Sequence, residues 1–185
     1  MGRRYLLDSN QQLKDYTLFY VGAESLTLNS ILMTHTGCPV FSFDPKTNVA
    51  REESGKVNRL LNRRYYMLQQ AKDASVIGIV VGTLGAASYM SVIKDLKRLI
   101  IASGKKPYLL AVGKPNPAKL GNFLEIDCFV LVACSENSLL DSREFLRPIV
   151  TPFELELALS KEHEWNGTYE TDLTVLAPRM REDAD

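Results

Sequence analysis

The chain has 185 residues, 45% of them hydrophobic, and its 22 Lys and Arg residues balance its 22 Asp and Glu residues. This length and apolar content suit one large or two small globular domains. The zero formal net charge argues against nucleic acid as a partner, because gripping a phosphate backbone requires a basic excess. No apolar run fits a signal peptide or approaches a membrane span, so we expect a soluble, cytoplasmic protein without a membrane partner.

Short β-branched or aromatic runs alternate with amphipathic stretches along the chain, a pattern typical of parallel sheets flanked by helices. Most of these runs lack a period of two, as expected of strands that are buried on both faces. The fold class is therefore predicted to be α/β. The predicted strands are Leu18–Val21, Val40–Phe43, Val76–Val81, Pro107–Val112 and Cys128–Ala133.

The N-terminal unit, residues 1–51, is predicted to be incomplete. It holds two good strands and one short helix, and two strands cannot bury both faces of a parallel sheet. We expect no strand in the charged stretch 44–64 and place the end of the unit near Arg51. The remaining elements of this domain are expected to lie upstream of the chain.

Residues 52–160 are predicted to form a complete α/β domain. Thr151, Pro152 and Glu154 combine an N-cap, a proline at the first helical position and a reciprocal acid, which together make a capping box. A weak internal repeat of strand, glycine, helix and strand links this domain to the N-terminal unit. Residues 161–185 are predicted to be a tail with a disordered, charged end.

Two features could bind an anion. The segment Gly82–Gly85 follows a strand and precedes a helix, where backbone amides point at a ligand. It matches neither the dinucleotide fingerprint nor the P-loop, so a plain strand-to-helix turn is the more ordinary interpretation. The cluster Arg59, Arg63 and Arg64 is interpreted first as the solvated face of a helix, with an anion site as the alternative.

The three cysteines have neither a disulfide framework nor the short spacing of a zinc chelate. Cys134 ends a predicted parallel strand, at the edge where ligands bind in open α/β sheets. It is thus a candidate ligand or reactive thiol, with an unreactive thiol as the commoner alternative. Cys128 is roughly 20 Å away at about 3.3 Å per residue, so the two cannot share one metal ion. Cys128 is interpreted as a core thiol and Cys38 as a partly buried structural thiol.

His35 and His163 have no nucleophile or carboxylate at a catalytic spacing. We therefore place both side chains on the surface and predict no hydrolase triad. The residues by themselves lead to an α/β protein with one conspicuous cysteine.

Several segments, in their order and spacing, resemble the diphthamide synthase family, and within it the C-terminal portion of the accessory iron-sulfur subunit. The resemblance covers nearly all of the chain except its ends. The segments are Gly2–Tyr5, Phe19–Gly22, Asp44-Pro45, Arg63–Tyr65, Ala71–Ala74, Val81–Gly85, Gly113–Leu120, Phe129–Cys134 and Pro148–Leu155.

The resemblance implies three similar Rossmann-like domains around a 4Fe-4S cluster, of which this chain would hold the end of the middle domain and the whole last domain. It places Cys134 at the cluster cysteine of the last domain, with the other cluster cysteines in a missing N-terminal domain. The expected partner is a homologous catalytic subunit, diphthamide biosynthesis protein 1. The pair would transfer the 3-amino-3-carboxypropyl group of S-adenosylmethionine, bound at the partner, to a histidine of elongation factor 2. The reaction is radical, and a small electron-carrier protein would supply the electron.

Two departures favour the accessory subunit over its catalytic partner. The partner has an Arg-Gln-Gly run where this chain has Ala86–Ser88, and a cysteine near the position of Gly2–Arg4. The chain would then support the partner's cluster and be inactive alone. The alternatives are a structural heterodimer module without a redox role, and a small-molecule-binding domain that uses the Gly82–Gly85 turn.

Overall fold

The protein forms two β-sheets flanked by α-helices, which confirms the predicted α/β class. The structure is a computed structural model. Among the described residues, no helix is both long and apolar enough to span a membrane. The residues that the structure describes are 6–7, 10, 12–82, 89–134, 139–140, 143–160, 163 and 169–183.

The first sheet has the strand order β1 (Leu18–Val21), β2 (Val40–Asp44) and β3 (Val49–Glu52). Strands β1 and β2 are parallel, and helix α1 (Leu26–Thr34) connects them. The helix begins at Ser25, whose hydroxyl accepts a hydrogen bond from the Leu28 amide.

Strand β3 contradicts the expectation that no strand lies in the stretch 44–64. It pairs antiparallel with β2 through a turn in which Asn48 takes the left-handed conformation, at φ 54°. All four residues of β3 are exposed. Because no residue of the strand is buried, the sequence carries no alternating apolar pattern that could have revealed it.

The second sheet has the order β5 (Lys106–Val112), β4 (Val76–Gly82), β6 (Cys128–Val132) and β7 (Ile149–Val150), and all four strands are parallel. The predicted strands at β4, β5 and β6 are confirmed. Every residue of β6 is buried, as a strand covered on both faces requires. Strand β7 has only two residues and was too short to stand out in the sequence.

Helices cover the two faces of this sheet unequally. One face packs against a continuous apolar core formed by α2 (Ser54–Asp73), α3 (Met90–Ala102), α5 (Pro152–Leu159) and α6 (Leu173–Glu182). The other face holds Phe129 and Leu131 and is covered by the short α4 (Pro117–Leu120) and neighbouring loops. The α2–α5 and α3–α6 packings hold the helical layer together.

The tail departs from the prediction of a disordered, charged end. Helix α6 runs through Met180 to Glu182, and Leu176, Ala177 and Met180 are buried in the core. Their spacing of one, three and four residues places them on one helical face. Packing of this apolar face against α3 stabilises the helix despite the charged residues in its last turn. Residues 184–185 lie outside the described residues.

The capping box predicted before α5 is confirmed. The Thr151 hydroxyl accepts a hydrogen bond from the Glu154 amide at 3.3 Å, and a Glu154 carboxylate oxygen accepts one from the Thr151 amide at 2.8 Å. The box fixes the start of α5 directly after the last strand of the sheet, so α5 leaves the carboxyl edge in one defined direction.

Gly78 in the middle of β4 provides a test of this packing. A Cβ at this position would lie 2.9 Å from both Ile126 Cδ1 and Phe129 Cδ1. We expect Gly78→Ala to lower the free energy of unfolding by about 1–3 kcal/mol, since overpacking a tight core forces side chains off their rotamers. A Cβ at Gly55 in α2 would meet no atom of the described residues within 4 Å, so Gly55→Ala should cause no loss. Urea denaturation measures the free energy of unfolding of both variants, and an equal loss in the two would contradict the packing described.

Candidate functional site at the carboxyl edge of the second sheet

The four parallel strands of the second sheet end at one edge, the usual ligand-binding edge of open α/β sheets. Cys134 lies two residues beyond the end of β6 at this edge, and its side chain is exposed. It opens on a cavity of about 320 Å³ between the start of α3 and one side of α6, from Asp172 to Arg181. The cysteine could be identified from the sequence, but the contribution of α6 could not, because this helix lies in the predicted tail.

Most charged groups around this cavity are already engaged. Asp172 caps α6 by accepting hydrogen bonds from the amide and the hydroxyl of Thr174, at 2.9 and 2.7 Å, and these bonds lower the pKa of its carboxyl. Arg181 pairs with Asp95 of α3 at 2.9 Å. The lining group with soft-ligand chemistry is therefore the thiol of Cys134.

A buried ion pair supports β7 and the start of α5, beside the first residues of β6. Nε of Arg64 donates to Glu154 Oε1 at 2.5 Å, and Nη2 donates to Glu154 Oε2, so the pair is bidentate. Nη2 also donates to the Ile149 carbonyl of β7 at 3.3 Å. The interpretation of Arg64 as part of a solvated helix face is wrong, because this side chain is buried. Its partner lies 90 residues further along the chain, which no local pattern could reveal.

Tyr169 and Thr151 complete the network around Glu154. The Tyr169 hydroxyl donates to Glu154 Oε1 at 2.8 Å and is 2.9 Å from the Thr151 hydroxyl. Burial and the Glu154 charge raise the pKa of Tyr169 well above its usual range, so the phenol stays protonated. Burial lowers the pKa of Arg64, but the Glu154 charge outweighs that effect and the pKa is raised. The Arg64 guanidinium therefore stays charged although it is buried.

The other two cysteines are poor ligands. Cys128 is fully buried on the helical face of the sheet, and burial raises the pKa of its thiol far above neutrality. Cys38 is half-buried, its Sγ donates to the Leu13 carbonyl at 3.2 Å, and burial raises its pKa as well. The predicted core placement of Cys128 and partly buried placement of Cys38 are confirmed. Since thiolates bind metals, Cys134 is the cysteine that fits a metal centre.

An iron-sulfur cluster normally takes several thiolate ligands. All three cysteines of the chain lie among the described residues: Cys128 is buried, Cys38 is partly buried and Cys134 is exposed. Cys134 is therefore the cysteine of this chain whose exposure would allow it to ligate such a cluster.

The remaining predictions concern the two histidines and the Gly82–Gly85 turn. His163 is partly exposed: its side chain is one-third exposed, and Nδ1 of its ring lies 3.1 Å from an Asp183 carboxylate oxygen. His35 is half-buried at the end of α1. Of the Gly82–Gly85 turn only Gly82 is described, so the proposed anion site in that turn lies outside the described residues.

These observations define an α/β protein with a parallel sheet whose carboxyl edge presents a single exposed cysteine. Residues 3–170 match the family described as "Putative diphthamide synthesis protein". Because the match covers most of the chain, this protein belongs to the diphthamide synthesis family, and the resemblance found in the sequence is confirmed.

Curated relatives carry the name 2-(3-amino-3-carboxypropyl)histidine synthase subunit 2. The Gallus gallus protein is 55% identical over 177 residues, covering 96% of this chain and 37% of the relative. The Schizosaccharomyces pombe protein is 55% identical over 170 residues, covering 91% of this chain and 34% of the relative. The chain thus spans little more than a third of the length of these relatives.

A solved structure has a similar fold. The crystal structure of Dph2 from Pyrococcus horikoshii with a 4Fe-4S cluster aligns with a TM-score of 0.61 and 23% sequence identity, over 90% of this chain and 50% of that chain. At this identity the similarity establishes the fold alone.

The Arg64–Glu154 pair should contribute strongly to the free energy of unfolding, because it joins α2, β7 and the start of α5. We expect Arg64→Met to lower the free energy of unfolding by about 3–5 kcal/mol, because it leaves Glu154 as an uncompensated buried charge. The exposed Arg59 on the same helix gives a matched control, and Arg59→Met should stay within about 0.5 kcal/mol of the parent. Adding Glu154→Gln to Arg64→Met should recover part of the loss. Similar effects of the two methionine variants in chemical denaturation would contradict this assignment.

Thiol reactivity should follow exposure and pKa. Under native conditions at neutral pH, iodoacetamide is expected to modify Cys134 first, Cys38 more slowly, and Cys128 only after unfolding. Peptide mass spectrometry over a time course measures the order. Modification of Cys128 in the folded protein at a rate similar to that of Cys134 would show that the core placement is wrong.

Proposed function

We propose that this chain is part of the accessory subunit of the complex that performs the first step of diphthamide biosynthesis. The reaction transfers the 3-amino-3-carboxypropyl group from S-adenosylmethionine to a histidine of elongation factor 2. In this proposal the chain supports the iron-sulfur chemistry of a catalytic partner and does not itself bind the reacting groups. Family membership and the names of the relatives support the pathway.

The observation that carries the proposal is the position of Cys134. It is the exposed cysteine of the chain, it follows a parallel strand at the ligand-binding edge, and it borders a cavity. Iron-sulfur clusters are held by cysteine thiolates, and a thiol that is accessible can ionise when iron is available. We assign Cys134 as a ligand of a 4Fe-4S cluster. When bound, such a cluster supplies single electrons.

The chain's own residues position that thiolate. Strand β6 is buried along its whole length, so the point at which the chain leaves the sheet is fixed. The Arg64–Glu154 pair fixes the neighbouring edge at β7, and α6 closes the far side of the cavity. A preorganised edge of this kind reduces the entropy lost when a ligand is bound.

The complete assembly needs more than this chain. We propose diphthamide biosynthesis protein 1 as the heterodimer partner, a small electron-carrier protein as reductant, and cytoplasmic localisation. The remaining cluster cysteines belong to an N-terminal domain, with residues 1–51 ending the middle domain, residues 52–160 forming the last domain and residues 161–185 forming the tail. The relatives leave ample room for such a domain, because the chain covers 37% of the length of the Gallus gallus protein.

Replacement of Cys134 tests the proposal in the heterodimer that contains the full-length subunit. We expect Cys134→Ser to lower the iron and sulfide bound at this subunit and to slow modification of elongation factor 2, while the fold is kept. A hydroxyl is nearly isosteric with the thiol but is a hard and weak ligand for iron. Iron and sulfide analysis and a modification assay measure the two effects.

Cys128→Ser is the matched control. Burying a hydroxyl without a partner costs about 1–3 kcal/mol, so stability should fall while the cluster content per folded molecule stays unchanged. Unchanged cluster content and activity in Cys134→Ser would favour the structural heterodimer module instead. Loss of the cluster in folded Cys128→Ser would indicate that Cys128, and not Cys134, is the cluster ligand.

A further inference from the structure

A second group of potential ligands lies away from the cysteine. Glu156 on α5, His163 after this helix and Asp183 at the end of α6 place their ligand atoms within 4.8 Å of one another. Nδ1 of His163 is 3.1 Å from Asp183 Oδ1 and 3.9 Å from Glu156 Oε1. This cluster contains none of the residues that line the cavity at Cys134, although that cavity extends along α6 as far as Arg181.

The two carboxylates of this cluster are buried. The Glu156 side chain is 0% exposed and that of Asp183 is 3% exposed. Among the described residues, neither Glu156 oxygen has a hydrogen-bond partner, and the same holds for Asp183 Oδ2. A buried carboxylate oxygen without a hydrogen bond is costly, and coordination of a cation would remove that cost.

A basic side chain lies beside each of the two carboxylates, Arg179 beside Glu156 and His163 beside Asp183. Nη2 of Arg179 lies 2.8 Å from Glu156 Oε1, close enough for an ion pair although its direction does not satisfy a hydrogen bond. The neighbouring Arg181 is directed to Asp95 instead. Glu156 Oε2 and Asp183 Oδ2 nevertheless have no hydrogen-bond partner among the described residues, so each carboxylate keeps one oxygen available to a metal ion.

The spacing of the ligand atoms suits a transition-metal ion. With metal–ligand bonds of about 2.0–2.1 Å, neighbouring ligands of a tetrahedral ion lie about 3.3 Å apart. The observed 3.1 and 3.9 Å bracket this value. Ser160 Oγ supports the ring and the acid, at 3.2 Å from His163 Nδ1 and 2.8 Å from Asp183 Oδ1.

We propose that Glu156, His163 and Asp183 bind a divalent transition-metal ion of the zinc class. One imidazole and two carboxylates form a ligand set that this class accepts, and a dication compensates both buried acids. The ion links the end of α6 to α5 and so stabilises the packing of the tail. The same helix lines the cavity at Cys134. The site is independent of the iron-sulfur proposal, because it contains no cysteine.

Cobalt(II) is the probe for this site, since its visible absorption reports coordination. The full chain carries Cys38→Ser and Cys134→Ser to remove thiol binding. We expect one equivalent of Co²⁺ to give tetrahedral d–d bands without a thiolate charge-transfer band, and Zn²⁺ to displace it. His163→Ala and Glu156→Gln should each weaken binding by about tenfold or more. Glu182→Gln, an exposed acid on the same helix end, should bind normally.

Circular dichroism without metal separates lost binding from lost folding. Both weak-binding variants should retain the helical spectrum, and Zn²⁺ should raise the melting temperature of the parent but not theirs. Absence of d–d bands in the parent would overturn the site. So would equal Co²⁺ affinities for His163→Ala and Glu182→Gln.

Discussion

The buried pair between Arg64 and Glu154 is the constraint on which the rest of the second sheet depends. An arginine and a carboxylate removed from water are tolerated only when both are matched in charge and geometry, and here the guanidinium meets both carboxylate oxygens. The same guanidinium binds the last strand through the Ile149 carbonyl, and the same carboxylate closes the capping box with Thr151. One interaction thereby fixes α2, β7 and the start of α5 together.

The proposed function depends on the cysteine that is exposed at the carboxyl edge of the second sheet. Cys128 is buried and Cys38 is partly buried, whereas Cys134 is exposed just after the end of β6. The tail contributes twice, because Tyr169 joins the buried network and α6 borders the cavity at Cys134. In the proposed function a rigid edge holds one thiolate for a cluster that is completed by other parts of the full-length subunit. The proposed metal ion at the far end of α6 would fasten the same tail.

The parts of the fold with strong local signals were predictable. Buried apolar runs predicted β4 and β6, a partly exposed run predicted β5, and Thr151 with Glu154 predicted the start of α5. The edge position of Cys134 also followed from the sequence, as did the core placement of Cys128. Features that depend on distant partners were not predictable: β3 has no buried face, Arg64 finds its partner 90 residues away, and the cluster at His163 assembles from three elements. Local patterns record burial and capping, but not which buried charges meet.

The central claim is that Cys134 is bonded directly to a cluster iron. The most direct measurement replaces Cys134 with selenocysteine, enriched in a spin-bearing selenium isotope, in the full-length heterodimer. Electron paramagnetic resonance of the reduced complex then reports whether selenium is coupled to the unpaired electron. Ligation predicts resolved or broadened selenium hyperfine structure on the signal of this subunit's cluster. A normal cluster signal from this subunit without selenium coupling would contradict it.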